Sequence, residues 1–255
     1  MKTLFIARPE GHLEESIGNA EKQGFRVIAA PMVEIKARDD PEFEIFLQRV
    51  LSGSADYVIF TSVNGIRIAI EKAGDSKDFL DAIDRAKIIA IGPRTKRALE
   101  EKGLKVELLP EKYSSEGIVE ELSPLLKGKR VEIVRSAQGD PLLIEGLASG
   151  GAAVHEVKIY EVARPRGEPQ ADAVRQAPLV DVFAFTSSIT VENYLKTAEE
   201  LGLRGVVIDT MNSRLVAAIG ELTAKTLRQN GIKVDIMPER FTFDDLLKAI
   251  KERVN

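Results

Sequence analysis

Two hydroxyl-rich stretches, Thr61-Ser62-Val63-Asn64-Gly65 and Thr186-Ser187-Ser188, each follow a short apolar run, YVIF and VFAF. Two glycine turns behave alike: Gly92 leads into Pro93-Arg94-Thr95, and Gly220 leads into a stretch that reaches Thr223. If the apolar runs are strands and the following stretches are helices, these residues sit where helices begin. Helix starts carry unpaired backbone N–H groups and a partial positive charge, which suit carboxylate or phosphate. Arg8 and Arg135 close two further apolar runs and are candidate carboxylate partners. Taken one at a time, the hydroxyls also read as helix caps and the arginines as solvated surface charge. The recurrence of the whole set points instead to an anion-binding edge.

The elements that must position these residues are legible around the glycine turns. Residues 87–91, KIIAI, form a short apolar run suited to a buried strand. Proline after Gly92 suits a first helical position, residues 95–102 read as a helix, and Gly103 fits the left-handed position that ends one. Residues 105–109 then start another strand. The second copy keeps the frame, with a strand at 217–219, a helix through Gln229, Gly231, and a strand at 232–237. Strand, turn, helix and strand make the βαβ unit of a parallel sheet. In open α/β sheets ligands gather at the carboxyl ends of the strands, the edge at which the hydroxyls, glycines and arginines collect.

The repetition covers the chain. AIGPRTKRALEEKGLKV at 90–106 answers to AIGELTAKTLRQNGIKV at 218–234. YVIFTSVNGI answers to VFAFTSSITV, YSSEGIVEEL to FTFDDLLKAI, and TLFIARPEG to RVEIVRSAQG, which sets Arg8 opposite Arg135. The offset is 125 positions from Thr61 to Thr186 and 128 from Gly92 to Gly220, too long for a solenoid repeat. A duplicated α/β domain is expected, and 255 residues suffice for two ordinary cores.

Composition narrows the chemistry. No cysteine is present, which removes thiolate chemistry and disulfides and suits a reducing, cytoplasmic setting. No signal or spanning segment is recognisable, so no membrane association is expected. The net charge of −4 gives no global basic field for nucleic acid. Neither a GxGxxG nor a GxxxxGK[ST] motif is found, so no nucleotide cofactor is expected, and GxSxG is absent too. With only His12 and His155, no metal site is expected, and His155 in AVHEVKIYEV reads as a solvent-facing strand residue.

The paired FTSxNG-like and AIGPxT…L…G elements, with VKIYEVARP at 157–165, resemble uroporphyrinogen-III synthase, over essentially the whole chain. The resemblance implies an α/β fold of two similar domains with parallel sheets flanked by helices, their first βαβ portions exchanged. One domain would comprise 1–35 and 166–255, the other 39–159, with crossings at 34–38 and 160–164 forming a two-stranded hinge. It implies a lyase acting as a monomer on hydroxymethylbilane, a linear tetrapyrrole with eight carboxylates. The enzyme removes its hydroxyl, closes the ring and inverts the last pyrrole to give uroporphyrinogen III, with no cofactor. Catalysis would rest on orientation and on exclusion of water from a reactive azafulvene.

By the same resemblance Tyr160 matches the family tyrosine before the ARP-like crossing and would assist departure of water. A phenol is protonated at neutral pH and can donate. Arg8, Thr61, Ser62, Asn64, Gly65, Gly92, Arg94, Thr95, Arg135, Thr186, Ser187, Ser188, Gly220 and Thr223 would hold the substrate. Two features depart from the family pattern. Glu221 stands where proline is common and would repel a substrate carboxylate unless it points away, and TSSIT lacks the usual element at the second hydroxyl loop. Two other classes share these features: a non-catalytic two-domain binding protein for a small polar ligand, and an inactive regulator on the synthase fold.

Overall fold

Strand β1 (Thr3–Pro9), helix α1 (Leu13–Lys22) and strand β2 (Arg26–Ala37) open the chain in a computed structural model that describes residues 1–254. Then follow α2 (Glu42–Leu51), β3 (Tyr57–Phe60), α3 (Val63–Lys72), α4 (Lys77–Arg85), β4 (Lys87–Ala90), α5 (Pro93–Glu100) and β5 (Val106–Leu108). Next come α6 (Ser115–Leu126), β6 (Arg130–Ser136), α7 (Leu142–Ser149) and β7 (Ala153–Ala163). The remainder is α8 (Glu168–Arg175), β8 (Val182–Phe185), α9 (Ser188–Glu200), α10 (Arg204–Ser213), β9 (Leu215–Ala218), α11 (Glu221–Gln229) and α12 (Phe243–Val254).

The chain divides into two compact units, Met1–Glu34 with the chain from Ala163 onward, and Ile35–Val162. In the first, β2, β1, β8 and β9 lie side by side, all parallel. In the second the parallel order is β7, β6, β3, β4, β5. The boundaries fall inside two long strands, β2 and β7. Within the second unit the backbone N–H of Arg38, just past β2, donates to the Ile159 carbonyl at 2.8 Å.

Helices cover both faces of each sheet, so the strands are apolar on both sides, as parallel strands usually are. In the first unit Phe5, Phe183, Phe185 and Tyr194 pack on one face, while Leu4, Ile6, Val182 and Leu246 pack on the other. In the second, Val58, Phe60, Phe46 and Phe79 fill one face, and Tyr57, Ile59, Ile133 and Leu143 the other. At the amino ends of the strands each unit is clasped by an aspartate. Asp181 accepts the Thr3 N–H at 2.8 Å, and Asp56 accepts the Arg130 N–H at 2.8 Å. Asp181 is held below the usual carboxylate range chiefly by the Thr3 N–H, and Asp56 by the Arg130 side chain first and the Arg130 N–H second.

Two local expectations are corrected. Residues 232–237 form a single bridge, Ala217 with Ile236, where a strand was expected. Asp235 turns its carboxylate back onto the Val216 N–H at 2.9 Å, and its own N–H already serves the Val216 carbonyl, so the ladder stops. His155 does not face solvent: its side chain is 12 % exposed. The parallel register sets it beside Glu132, and α2 covers that face. Its Nδ1 meets Glu132, and its Nε2 lies 2.7 Å from Glu42. Arg49 reaches the same buried Glu132 at 3.2 Å. A polar residue in a doubly covered strand is buried with partners, not solvated.

Candidate functional site

In the unit of Ile35–Val162 the carboxyl end of β3 delivers Thr61 and Ser62. Thr61 donates from its hydroxyl to the Val134 carbonyl at 3.3 Å, which ties the loop to the neighbouring strand. Ser62 caps α3: its backbone is extended and its Oγ accepts the Gly65 N–H at 3.1 Å. The same Oγ lies 2.7 Å from the Tyr160 hydroxyl, carried by β7. Tyr160 is 5 % exposed and packs into the core with Phe60 and Ile159. Asn64 is half-buried on the first turn of α3, and Gly65 is buried.

One strand along, β4 is followed by Ile91 and the buried Gly92, which stands at the N-cap of α5 with Pro93 in the first turn. Arg94 is exposed there and Thr95 is buried. Tyr113 leans over the turn, so that a side chain at position 92 would meet its Cβ at 3.4 Å. Tyr113 is itself 58 % exposed.

The first unit repeats the plan at the ends of β8 and β9. Thr186 donates to the Ala7 carbonyl at 3.2 Å, as Thr61 does to Val134. Ser187 caps α9 through the Thr190 N–H at 3.4 Å, and Ser188 donates to the Leu222 carbonyl at 3.1 Å. Gly220 precedes α11 and lies under the Phe241 ring, whose Cδ1 is 3.2 Å from where a Cβ would stand. Ser187, Ser188, Gly220 and Thr223 border a cavity of about 420 Å³, together with Leu222 and Phe241. Glu221 also borders it, but its carboxylate is drawn along the helix to Arg228 at 2.8 Å. The repulsion expected of a carboxylate at this turn is thereby relieved. Among the described residues no counterpart of Tyr160 touches Ser187, whose hydroxyl partner is Thr190.

The family model described as uroporphyrinogen-III synthase HemD matches residues 14–248. The chain belongs to the uroporphyrinogen-III synthase family. It is therefore an enzyme of tetrapyrrole biosynthesis. The uroporphyrinogen-III synthase of Chlorobaculum parvum is 27 % identical over 260 residues, spanning 99 % of this chain and 99 % of that one. A relative from Methanothermobacter thermautotrophicus, named provisionally for the same synthase, is 31 % identical over 97 % of this chain and 96 % of its own. A solved structure of a mutant uroporphyrinogen III synthase from the extreme thermophile Thermus thermophilus matches with a TM-score of 0.66. That match covers 100 % of this chain and 99 % of that one at 22 % identity, a likeness of fold.

Within each unit of this synthase the hydroxyls and glycine turns do gather at the carboxyl ends of the strands. The two arginines are held differently from free carboxylate partners. Arg135 is 2 % exposed, and its Nε pairs with Glu156 at 3.3 Å. It lies so tightly under the following loop that a Cβ at Gly139 would fall 2.0 Å from Nε, so a side chain there would have to displace the guanidinium. Arg8 is half-buried, donates to Ser16 Oγ at 2.7 Å and sits 4.7 Å from the Phe243 ring centroid. Burial pulls its pKa below the ordinary arginine value. Arg94 is the exposed cation of the set. Sequence reasoning passed over Tyr113 and Phe241. Their signal was present in the match of YSSEGIVEEL to FTFDDLLKAI, where the two aromatics align at the same place after a proline.

Proposed function

We propose that the chain is a lyase that converts hydroxymethylbilane to uroporphyrinogen III, with loss of water and inversion of the last ring. The observation that supports this most is the repeated edge of hydroxyls, glycine turns and helix starts in a chain of this family. Such an edge offers N–H and O–H donors to many carboxylates while adding little charge of its own. The linear substrate also closes spontaneously without inversion, so the protein must hold a folded conformer that favours attack at the substituted carbon.

In this reading Ser62 and Tyr160 supply the proton. Ser62 is half-buried at the site edge and Tyr160 stands behind it at 2.7 Å. Ser62 gives its proton to the departing hydroxyl and regains one from the phenol. The C–O bond breaks, water leaves, and the pyrrole nitrogen loses its own proton to restore the phenol, leaving the azafulvene. Arg94 and the N–H group at Gly92 hold a carboxylate arm. We also read the two units as repeats with exchanged first βαβ portions, a reading supported by their matching strand orders.

The test is to give the purified chain hydroxymethylbilane and resolve the product isomers after oxidation. Predominantly type III product supports the reading. Type I product at the uncatalysed rate refutes it.

A further inference from the structure

The two units are not chemically equal at this edge. In the shared frame AIGPRT and AIGELT, Arg94 of one unit corresponds to Leu222 of the other. Tyr113 corresponds to Phe241, so a phenol is replaced by a plain ring. Both changes run in the apolar direction. Leu222 is 80 % exposed and Phe241 is 68 % exposed. Leaving two large apolar side chains in water forgoes a burial gain on the order of 1.5–3 kcal/mol each, so their placement together marks a surface that something covers. They border the cavity of about 420 Å³, a volume in the range of small-molecule sites. Among the described residues no lysine or arginine lines it, and the one carboxylate that does is turned to Arg228. A carboxylate arm finds only uncharged donors there, whereas a flat apolar ring finds a leucine, an aromatic face and room.

We infer that Phe241 and Leu222 form a shelf that seats a pyrrole ring of the substrate, with the ring face on Phe241. Arg94 and Tyr113 occupy the matching place for a carboxylate arm. This inference rests on the proposed synthase reading and adds a division of labour to it. Pyrrole is electron-rich and planar, and an aromatic side chain that is free of intramolecular ring partners can take it in an offset stack. Phe241 is a positioning residue: it touches the substrate but moves no proton.

The experiment compares wild type, Phe241→Ala, Phe241→Tyr and Leu222→Ser in steady-state turnover of hydroxymethylbilane, with thermal melts alongside. Phe241→Ala should raise KM roughly tenfold and leave kcat within about threefold. Phe241→Tyr should recover the wild-type KM, and Leu222→Ser should raise KM by about threefold. Melting midpoints should match wild type, because both side chains stand mostly in solvent. An active wild type whose KM is unchanged within twofold by Phe241→Ala overturns the shelf and leaves the synthase reading standing. The shelf also falls if Phe241→Tyr is as impaired as Phe241→Ala. A wild-type chain without turnover overturns the synthase reading, and the shelf with it.

Discussion

The sharpest perturbation of the proton path is Tyr160→Phe, taken in a cycle with Ser62→Ala. The Tyr160 hydroxyl has Ser62 Oγ as its partner at 2.7 Å, and that oxygen already accepts the Gly65 N–H. Tyr160→Phe therefore removes one buried hydrogen bond and should cost about 0.5–1.5 kcal/mol of stability. Ser62→Ala removes the same bond and the α3 cap, adding about 1 kcal/mol. Neither loss should unfold a unit with so large an apolar core. A general acid is worth ~10²- to 10⁴-fold, but the electron-rich pyrrole already assists departure of the hydroxyl. Turnover of Tyr160→Phe should then fall roughly 10- to 100-fold, a barrier of ~1.4 to 2.7 kcal/mol. If the proton passes through both oxygens, cutting the path at either point is equivalent, and the double variant should be no slower than the slower single one. The assay is single-turnover consumption of hydroxymethylbilane, with the type III fraction measured on the same samples. That fraction of the enzyme product should persist, because orientation is set elsewhere. Turnover of Tyr160→Phe within twofold of wild type, or additive barriers in the cycle, would refute the relay.

Three other outcomes are expected. Asp181 is held below the usual carboxylate range chiefly by the Thr3 N–H, so its contribution is present above the unfolded pKa and is lost as pH falls through the folded one. Denaturant melts should show Asp181→Asn about 1–2 kcal/mol less stable at neutral pH, the gap closing with acid below the ordinary aspartate pKa; a gap independent of pH would contradict this. The Tyr194 hydroxyl is buried without a hydrogen-bond partner among the described residues, so Tyr194→Phe should be neutral or stabilising by up to about 1–2 kcal/mol. A marked drop in its melting midpoint would show that the hydroxyl has a partner. Finally, exhaustive chelation should leave type III output unchanged, and activity lost on chelation and restored by metal would count against orientation as the source of catalysis.

What the sequence disclosed and withheld follows physical lines. The turns were legible because their signals are local. Pro93 after Gly92 marks a helix start, and Ser114 is a cap whose oxygen accepts an N–H three residues on. In the hydroxyl loops a cap reading of Thr61 and Thr186 misses by one position: Ser62 and Ser187 are the caps, and the two threonines bond to neighbouring strand carbonyls. Gly103 and Gly231 adopt φ of +79° and +74°, the left-handed region that favours glycine. Properties decided across the fold were hidden. His155 in AVHEVKIYEV reads as solvent-facing, yet α2 lies over it and brings Arg49 and Glu42 to the Glu132–His155 pair. Arg135 ends its strand as Arg8 does, but the fit under Gly139 and the pairing with Glu156 depend on the loop and a neighbouring strand. The aromatics over the glycine turns were written in the repeat match, but aromatic residues are ordinarily core, and only their exposure in the fold marks them as available.

The division of the chain has a consequence for its synthesis. Ile35–Val162 is continuous, so it can close its sheet as soon as it leaves the ribosome. The other unit is not: β1 pairs with β8, and Leu4 lies opposite Val182, 178 positions later. At about 5–20 residues per second the first strand waits roughly 10–35 s for that partner. β1 is wholly apolar at Leu4, Phe5, Ile6 and Ala7, and it becomes a central strand. During the wait it can pair only with β2, and the flanks of that short βαβ fragment stay open to aggregation. The nascent chain therefore completes its inner segment first and holds its opening strands as the most vulnerable stretch, the part for which a holding chaperone would matter most.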